Sequence, residues 1–286
     1  MKTQKMLSEN QILEAINSVP TLPSVYQNII RVMTDKRSTI DDIAEVISKD
    51  QAAALKVLKV ANSPIFGITR TITTVHDAIM YLGFVEVRNI VVALSVINLV
   101  EKNKKFKKFR PRDFWKHSLA VGVASRMIAQ YTDRSALDKV FLAGILHDVG
   151  KLVLLVYFED DYMKVLDYIQ KNRVFLVEAE KNVLGFTHCE VGQRLLTKWH
   201  LADYLVNAVA YHEEGMINGK FDSVVGIVHI ANIFARATSL GNPGDNLIPE
   251  PNHEIWAKIN LPEKFFEEKK DELKIYFNEI VSTILS

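Results

Sequence analysis

Three observations predict an all-α protein made of two helical lobes. Apolar residues recur at spacings of three and four along nearly the whole chain, the pattern of one buried face per helix. No clear stretch alternates polar and apolar residues with a period of two, as a half-buried strand would. The 12 glycines and 8 prolines are sparse for 286 residues, so few positions interrupt a helix. A hydrophobic fraction of 48% beside 24% charged residues supplies a substantial core and an ordinary polar surface.

The first helix is predicted at 9–18. It is opened by Ser8-Glu9-Asn10-Gln11, a capping box in which the serine hydroxyl and the glutamine side chain satisfy opposing backbone donors. Pro20 and Pro23 separate it from a helix at 24–35. Thr39 caps a helix at 40–49, and another follows at 51–62, stopped by Asn62-Ser63-Pro64. Thr74 caps 74–82, which ends at Gly83. The apolar stripe of 84–102 packs in the core, because its longest apolar run, Ile90 to Val100, is too short to cross a bilayer. A stop at Pro111 precedes helices at 112–131 and 136–157, the latter capped by Ser135. Helices at 160–172 and 175–184 follow, and Gly185 ends them. A second capping box, Thr187-His188-Cys189-Glu190, opens 188–199. Helices at 202–214, 222–240 and 262–284 complete the chain.

Glu101 to Arg112 is the expected seam between lobes, with seven basic residues: Lys102, Lys104, Lys105, Lys107, Lys108, Arg110 and Arg112. It divides the chain into an N-terminal lobe at 1–104, a histidine-bearing lobe at 105–245 and a C-terminal helical extension at 246–286. Such a run is usually a solvated linker, and without an RNP, helix-turn-helix or zinc-knuckle pattern nucleic acid is not an expected partner. A net charge of +1 exerts no global pull toward nucleic acid or an anionic membrane. The lone Cys189 excludes an intrachain disulfide and suits a reducing compartment; with no apolar leader in the first ten residues, the expected location is the cytoplasm.

The chemistry concentrates in Leu146-His147-Asp148-Val149-Gly150-Lys151. An ionised carboxylate on an apolar helix is costly unless compensated, and a divalent metal held by imidazole and carboxylate is one compensator. If 112–131 and 136–157 form a hairpin turning near Asp133, His117 lies sixteen residues before the turn and His147 fourteen after it. At about 1.5 Å per residue these arms differ by about 3 Å, so the two imidazoles sit level. His188 and His212 each lie twelve residues from position 200, so a turn there levels them too. Glu190, Glu213 and Asp113 are the candidates to fix the imidazole tautomers. His76, His200, His229 and His253 read as surface or packing histidines, and Cys189 as structural.

These residues resemble the HD superfamily of metal-dependent phosphohydrolases. Its signature of a His, a His-Asp pair and a distant Asp matches His117 in FWKHSLAVG and His147-Asp148 in LAGILHDVGK, but places Asn232 where the last Asp is expected. Asn offers a carbonyl oxygen without charge and is a weaker ligand for a hard cation. Leu22-Pro23, the segments Ser48 to Gly67 and Ile72 to Val92, and the FWKHS…GILHDVGKLVL core resemble the HDOD family, a regulatory branch of that superfamily, from about residue 18 to 240. The resemblance implies an HD-like helical bundle in the C-terminal lobe and a bacterial signalling or scaffold module. Many members of that family lack the metal-binding histidines, which this chain keeps. Thr187-His188 and Tyr211-His212-Glu213 resemble the extra ligands of HD-GYP cyclic-di-GMP phosphodiesterases, although Tyr211 replaces a histidine and no GYP tripeptide follows.

The expected function is therefore an HDOD-type signal-transduction module acting by protein interaction or ligand sensing, with signalling proteins as partners. The alternative is a metal-dependent phosphohydrolase acting on a nucleotide or cyclic dinucleotide, and a metal or redox sensor is a third reading. The implied cofactor is one or two divalent ions, iron or manganese. The implied ligands are His117, His147, Asp148, His188, His212 and Asn232, with Asp148 and Lys151 as the catalytic pair and Lys151 as a phosphate contact.

Overall fold

The computed structural model describes residues 6–22, 24–34, 37–101, 110–245 and 247–285, and its regular structure there is all helical. α1 (Glu9–Ser18), α2 (Ser24–Thr34), α3 (Ile40–Ser48), α4 (Gln51–Ala61), α5 (Val75–Leu82) and α6 (Phe84–Glu101) come first. α7 (Pro111–Tyr131), α8 (Leu137–Leu146), α9 (Val149–Asn172), α10 (Leu176–Leu184) and α11 (His188–Lys198) follow. α12 (Asp203–Tyr211), α13 (Ser223–Ala237), α14 (His253–Ile259) and α15 (Phe265–Ile284) complete the order. The lysines of the basic run, 102 to 108, lie outside the described residues.

Local chemistry accounts for most boundaries. Ser8, Thr39 and Thr187 form reciprocal capping boxes with Gln11, Asp42 and Glu190, and Thr74 accepts a bond from the Asp77 amide. Gly83 and Gly185 end α5 and α10 at φ of 83° and 84°. Four details differ from expectation. Ser135 is not a cap; Asp133 caps the 3₁₀ turn at 134–136 and accepts from the Ser135 amide and hydroxyl. Pro111 opens α7 rather than stopping a helix, because an N1 position needs no amide donor. The helix expected at 136–157 is interrupted at His147-Asp148, and the helix beyond it runs on to Asn172 through a kink at Phe158. α14 was not expected; the Asn252 side chain caps it by accepting from the Glu254 and Ile255 amides.

α7 is the axis of the molecule. It is buried almost continuously from Phe114 to Ala129 and packs against α8, α13 and α15. Gly122 and Gly144 set the α7–α8 distance, since a Cβ on Gly144 would lie 2.7 Å from the Gly122 Cα. That approach brings His117 and His147 together. α2 to α6 pack among themselves and reach the rest through α6 on α7 and α8, while α15 also contacts α4 and α1 lies on α9 and α11. One apolar cluster runs from Ile12 to Leu285 through both sets of helices. Arg126 joins them, donating to Glu86 Oε2 (2.9 Å), Leu137 O (3.0 Å) and Ile65 O (3.1 Å) over the Phe66 ring. The division at 104/105 and 245/246 stays a proposal drawn from composition. Residues 134–172 include a window apolar and long enough for a bilayer, but 89% of it is buried within the protein, as in a core helix.

Candidate metal centre

Four helices and one interhelical break deliver the predicted residues to one buried chamber. His117 comes from α7, His147 and Asp148 from the break between α8 and α9, His188 from the first position of α11, His212 from the end of α12 and Asn232 from α13. The four imidazoles and Asp148 are wholly buried. Ring centroids lie 5.4 Å apart for His117–His147, 4.9 Å for His147–His212 and 5.3 Å for His188–His212. Both hairpins therefore level their histidines, and the hairpins face each other. Gly150 permits this, because a Cβ there would collide with the His188 carbonyl oxygen and lie 2.7 Å from the Gly192 amide nitrogen.

Asp148 sits at the centre. Its Oδ1 is 3.3 Å from His188 Nε2 and 3.5 Å from His212 Nε2. Its Oδ2 is 3.3 Å from His147 Nε2 and 4.0 Å from His117 Nε2. Lys151 Nζ donates to the same Oδ2 at 2.7 Å and to Pro243 O at 3.0 Å. Lys151 is only 1% exposed, so its ammonium is committed to Asp148.

The tautomers of three imidazoles follow from their acceptors. His147 Nδ1–H donates to Gly144 O (2.7 Å), His188 Nδ1–H to Glu180 Oε2 (2.7 Å) and His212 Nδ1–H to Val209 O (3.0 Å). In its neutral form each of these rings turns an Nε2 lone pair inward. Among the described residues, His147 Nε2, Asp148 Oδ1 and Glu213 Oε1 have no hydrogen-bond partner. Glu213 Oε1 stands 3.5 Å from His212 Nε2 and 3.9 Å from His188 Nε2. Buried acceptors meeting without donors need a cation, and this mixture of imidazole and carboxylate suits a divalent transition metal. Two groups have ligand atoms within 4.8 Å of one another: His117, His147 and Asp148, and His188, Cys189 and His212. The donor set fits a metal.

The electrostatics agree. Burial raises the Asp148 pKa, but His147 and Lys151 outweigh it and hold the carboxyl well below its usual range. Burial, then neighbouring His147, drives His117 well below the ordinary imidazole value, and burial lowers His147 too. Burial opposes a cation at His188, yet Cys189 and Glu180 push it well upward. The same opposition is overcome at His212, where Cys189, Asp148 and Glu213 raise the value to about 10. Burial would raise Glu213, but His212 brings it far down. Negative charge thus collects on one side of the chamber, and a proton or another cation must answer it.

The expected tautomer-fixing residues are mostly elsewhere. Glu190 is held in the Thr187 capping box and pairs with Lys181 at 3.0 Å, while Asp113 pairs with Lys116 at 3.5 Å. Glu213 faces the Nε2 side rather than fixing an Nδ1. Sequence reasoning missed Glu180, which accepts from His188 and, through Oε1, from the Tyr162 hydroxyl at 3.0 Å. The signal was a glutamate within the buried stripe Leu176, Ala179, Glu180, Val183 of an amphipathic helix. Of the histidines read as packing groups, His229 is buried, donating to His212 O (2.8 Å) and accepting from the Asn252 amide (3.1 Å). Beyond Glu213 lies an open cavity of about 760 Å³, bordered by Glu178, Glu190, Glu213 and Glu214, with Lys181 the one cationic side chain among the described residues that line it.

Comparison with known proteins agrees with this architecture. The chain is similar to an HDOD domain protein of unknown function from Geobacter sulfurreducens, with a TM-score of 0.77, 24% identity and coverage of 96% of this chain and 97% of that one. It is also similar to a candidate metal-dependent phosphohydrolase from Shewanella amazonensis SB2B, with a TM-score of 0.71, 19% identity and 96% coverage of each chain. At these identities the likeness establishes the fold. An uncharacterized protein of Treponema pallidum (strain Nichols) is 22% identical over 214 residues, 74% of this chain, which spans only 41% of that relative's length. The HDOD domain model matches residues 19–215, more than half of the sequence, and the chain therefore belongs to the HDOD domain family.

Proposed function

We propose that this chain is an HDOD-type signal-transduction module that binds a divalent metal in its histidine–carboxylate chamber and acts through protein partners in the cytoplasm. One observation carries the metal reading: the Nε2 lone pairs of His147, His188 and His212 meet the unpartnered oxygens of Asp148 and Glu213 in a buried space. Those five residues would hold the ion, with Glu180, Gly144 O and Val209 O fixing the rings behind it. Iron or manganese suits this mixture of nitrogen and oxygen donors. A bound ion would supply Lewis acidity and a water of lowered pKa.

A second reading, phosphohydrolysis of a nucleotide or cyclic dinucleotide, is favoured by the convergence of the His-Asp pair with further histidines. We rank it second because the cavity beside the chamber presents four carboxylates to one lysine, a field that repels phosphate. Lys151, the expected phosphate contact, is bonded to Asp148 instead.

Elemental analysis of protein purified without chelator tests occupancy. Turnover with manganese or iron is then measured against cyclic dinucleotides, nucleotides and a generic phosphodiester. Bound metal without turnover is the expected result. Hydrolysis that disappears in His147→Ala and Asp148→Ala would establish the second reading instead.

A further inference from the structure

The chamber has two chemically distinct halves around Asp148. On the Oδ1 side stand His188 Nε2, His212 Nε2 and Glu213 Oε1, with Cys189 Sγ 3.5 Å from His188 Nε2. His147 borders both halves, its Nε2 3.3 Å from Oδ2 and its ring 4.9 Å from that of His212. Beyond His147, the Oδ2 side is occupied by donors. Lys151 Nζ occupies Asp148 Oδ2 at 2.7 Å and is anchored from behind by Pro243 O. Asn232 Oδ1 accepts from Arg236 Nε–H at 3.3 Å, which fixes the amide with its oxygen toward both Arg236 and His117. The 3.1 Å contact from that oxygen to His117 Nε2 then requires a proton on the imidazole nitrogen, whose lone pair is no longer available to a metal.

From this asymmetry we infer that the centre takes a single divalent ion on the Oδ1 side, and that the Lys151 ammonium stands permanently in the place of a second one. The inference rests on the metal reading above and goes beyond it in stoichiometry, position and the role of Lys151. It also removes His117 and Asn232 from the ligand set that the resemblance implied.

Charge counting supports the same result. Counting carboxylates and ammonium alone, Asp148, Glu180 and Glu213 face the chamber with three negative charges and Lys151 returns one positive charge. Arg236 is cancelled by Asp245 at 2.8 Å. The remaining two negative charges are balanced by one divalent ion, whereas two ions would leave a buried excess of two positive charges with no partner. Replacing Lys151 by a neutral residue and Asn232 by aspartate makes the chamber four negative, which balances two ions.

The test uses the full chain, stripped with chelator, saturated with Mn²⁺ and freed of loosely held ions. Native mass spectrometry and elemental analysis then give the ratio of ion to chain, and electron paramagnetic resonance distinguishes an isolated Mn²⁺ from an exchange-coupled pair. The wild type is expected to hold one ion with an uncoupled spectrum. His117→Ala should keep it, His212→Ala should lose it, and Lys151→Met/Asn232→Asp should hold two. Two ions in the wild type would leave the metal reading standing and overturn this inference. So would an ion lost in folded His117→Ala, an ion kept in His212→Ala, or a folded double variant that still takes one. No ion in the wild type would defeat both readings. If the double variant fails to fold, the wild type and the two single variants still decide the matter.

Discussion

Glu180 accepts two hydrogen bonds from His188, one from the ring Nδ1–H at 2.7 Å and one from the backbone amide at 2.9 Å. One carboxylate oxygen thus fixes the start of α11 and the orientation of the imidazole it carries. Glu180→Gln keeps the shape but loses the charge that makes His188 Nε2 a good ligand. We expect Mn²⁺ affinity to fall roughly 10- to 100-fold with the helical content unchanged. Chelator competition beside circular dichroism measures both, and unchanged affinity would remove Glu180 from the centre.

Gly150 tests the packing that places His188 beside Asp148. A methyl group there meets the His188 carbonyl and the Gly192 amide, and neither backbone can retreat without separating α9 from α11. Gly150→Ala should destabilise the fold by about 3 kcal/mol and weaken metal binding in the part that remains folded. Denaturant titration of apo protein reads the first effect and chelator competition the second.

Metal addition should stabilise the protein by linkage, because the ligands are assembled only in the folded chain. At free Mn²⁺ one hundred times its Kd the gain is about 2.7 kcal/mol. The thermal midpoint of the wild type should rise with added Mn²⁺, and that of His212→Ala should not. Equal shifts in both proteins would mean the ion acts elsewhere.

Away from the centre, Glu86 gives a pH dependence of definite sign. Burial against the attraction of Arg126 raises its carboxyl from the ordinary 4.5 to about 7. Between those values the native state keeps a proton that the unfolded chain has released, so stability falls as pH rises through that interval and is flat above it. The loss is on the order of 3 kcal/mol. Comparing urea midpoints of the wild type and Glu86→Gln isolates it: the wild type should lose ground to the variant between pH 4.5 and 7. A constant difference across that range would contradict the assignment.

Much of the centre was legible in the sequence because it follows from lengths. The arms on either side of Asp133 and of position 200 are nearly equal, so helix rise alone levels His117 with His147 and His188 with His212. What escaped depends on direction rather than length. Leu146, Val149 and Leu152 keep the apolar spacing of an unbroken helix, which hid the interruption at 147–148. Glu180 lies on a different helix and reaches His188 across a turn, a contact no periodicity encodes. The second acceptor of the Lys151 ammonium, Pro243 O, comes from about ninety residues away, a contact that no local spacing encodes.

The gap between α8 and α9 has a consequence of its own. In an uninterrupted helix, neighbouring side chains diverge by about 100°, so an imidazole and the carboxylate after it would look in different directions. At Asp148 the backbone turns to φ −98° and ψ 8°, and the two side chains end 3.3 Å apart. Local regularity has been given up to aim consecutive residues at a single point. Any redesign that smooths 146–149 into ideal geometry would gain helix propensity and scatter the side chains of the chamber.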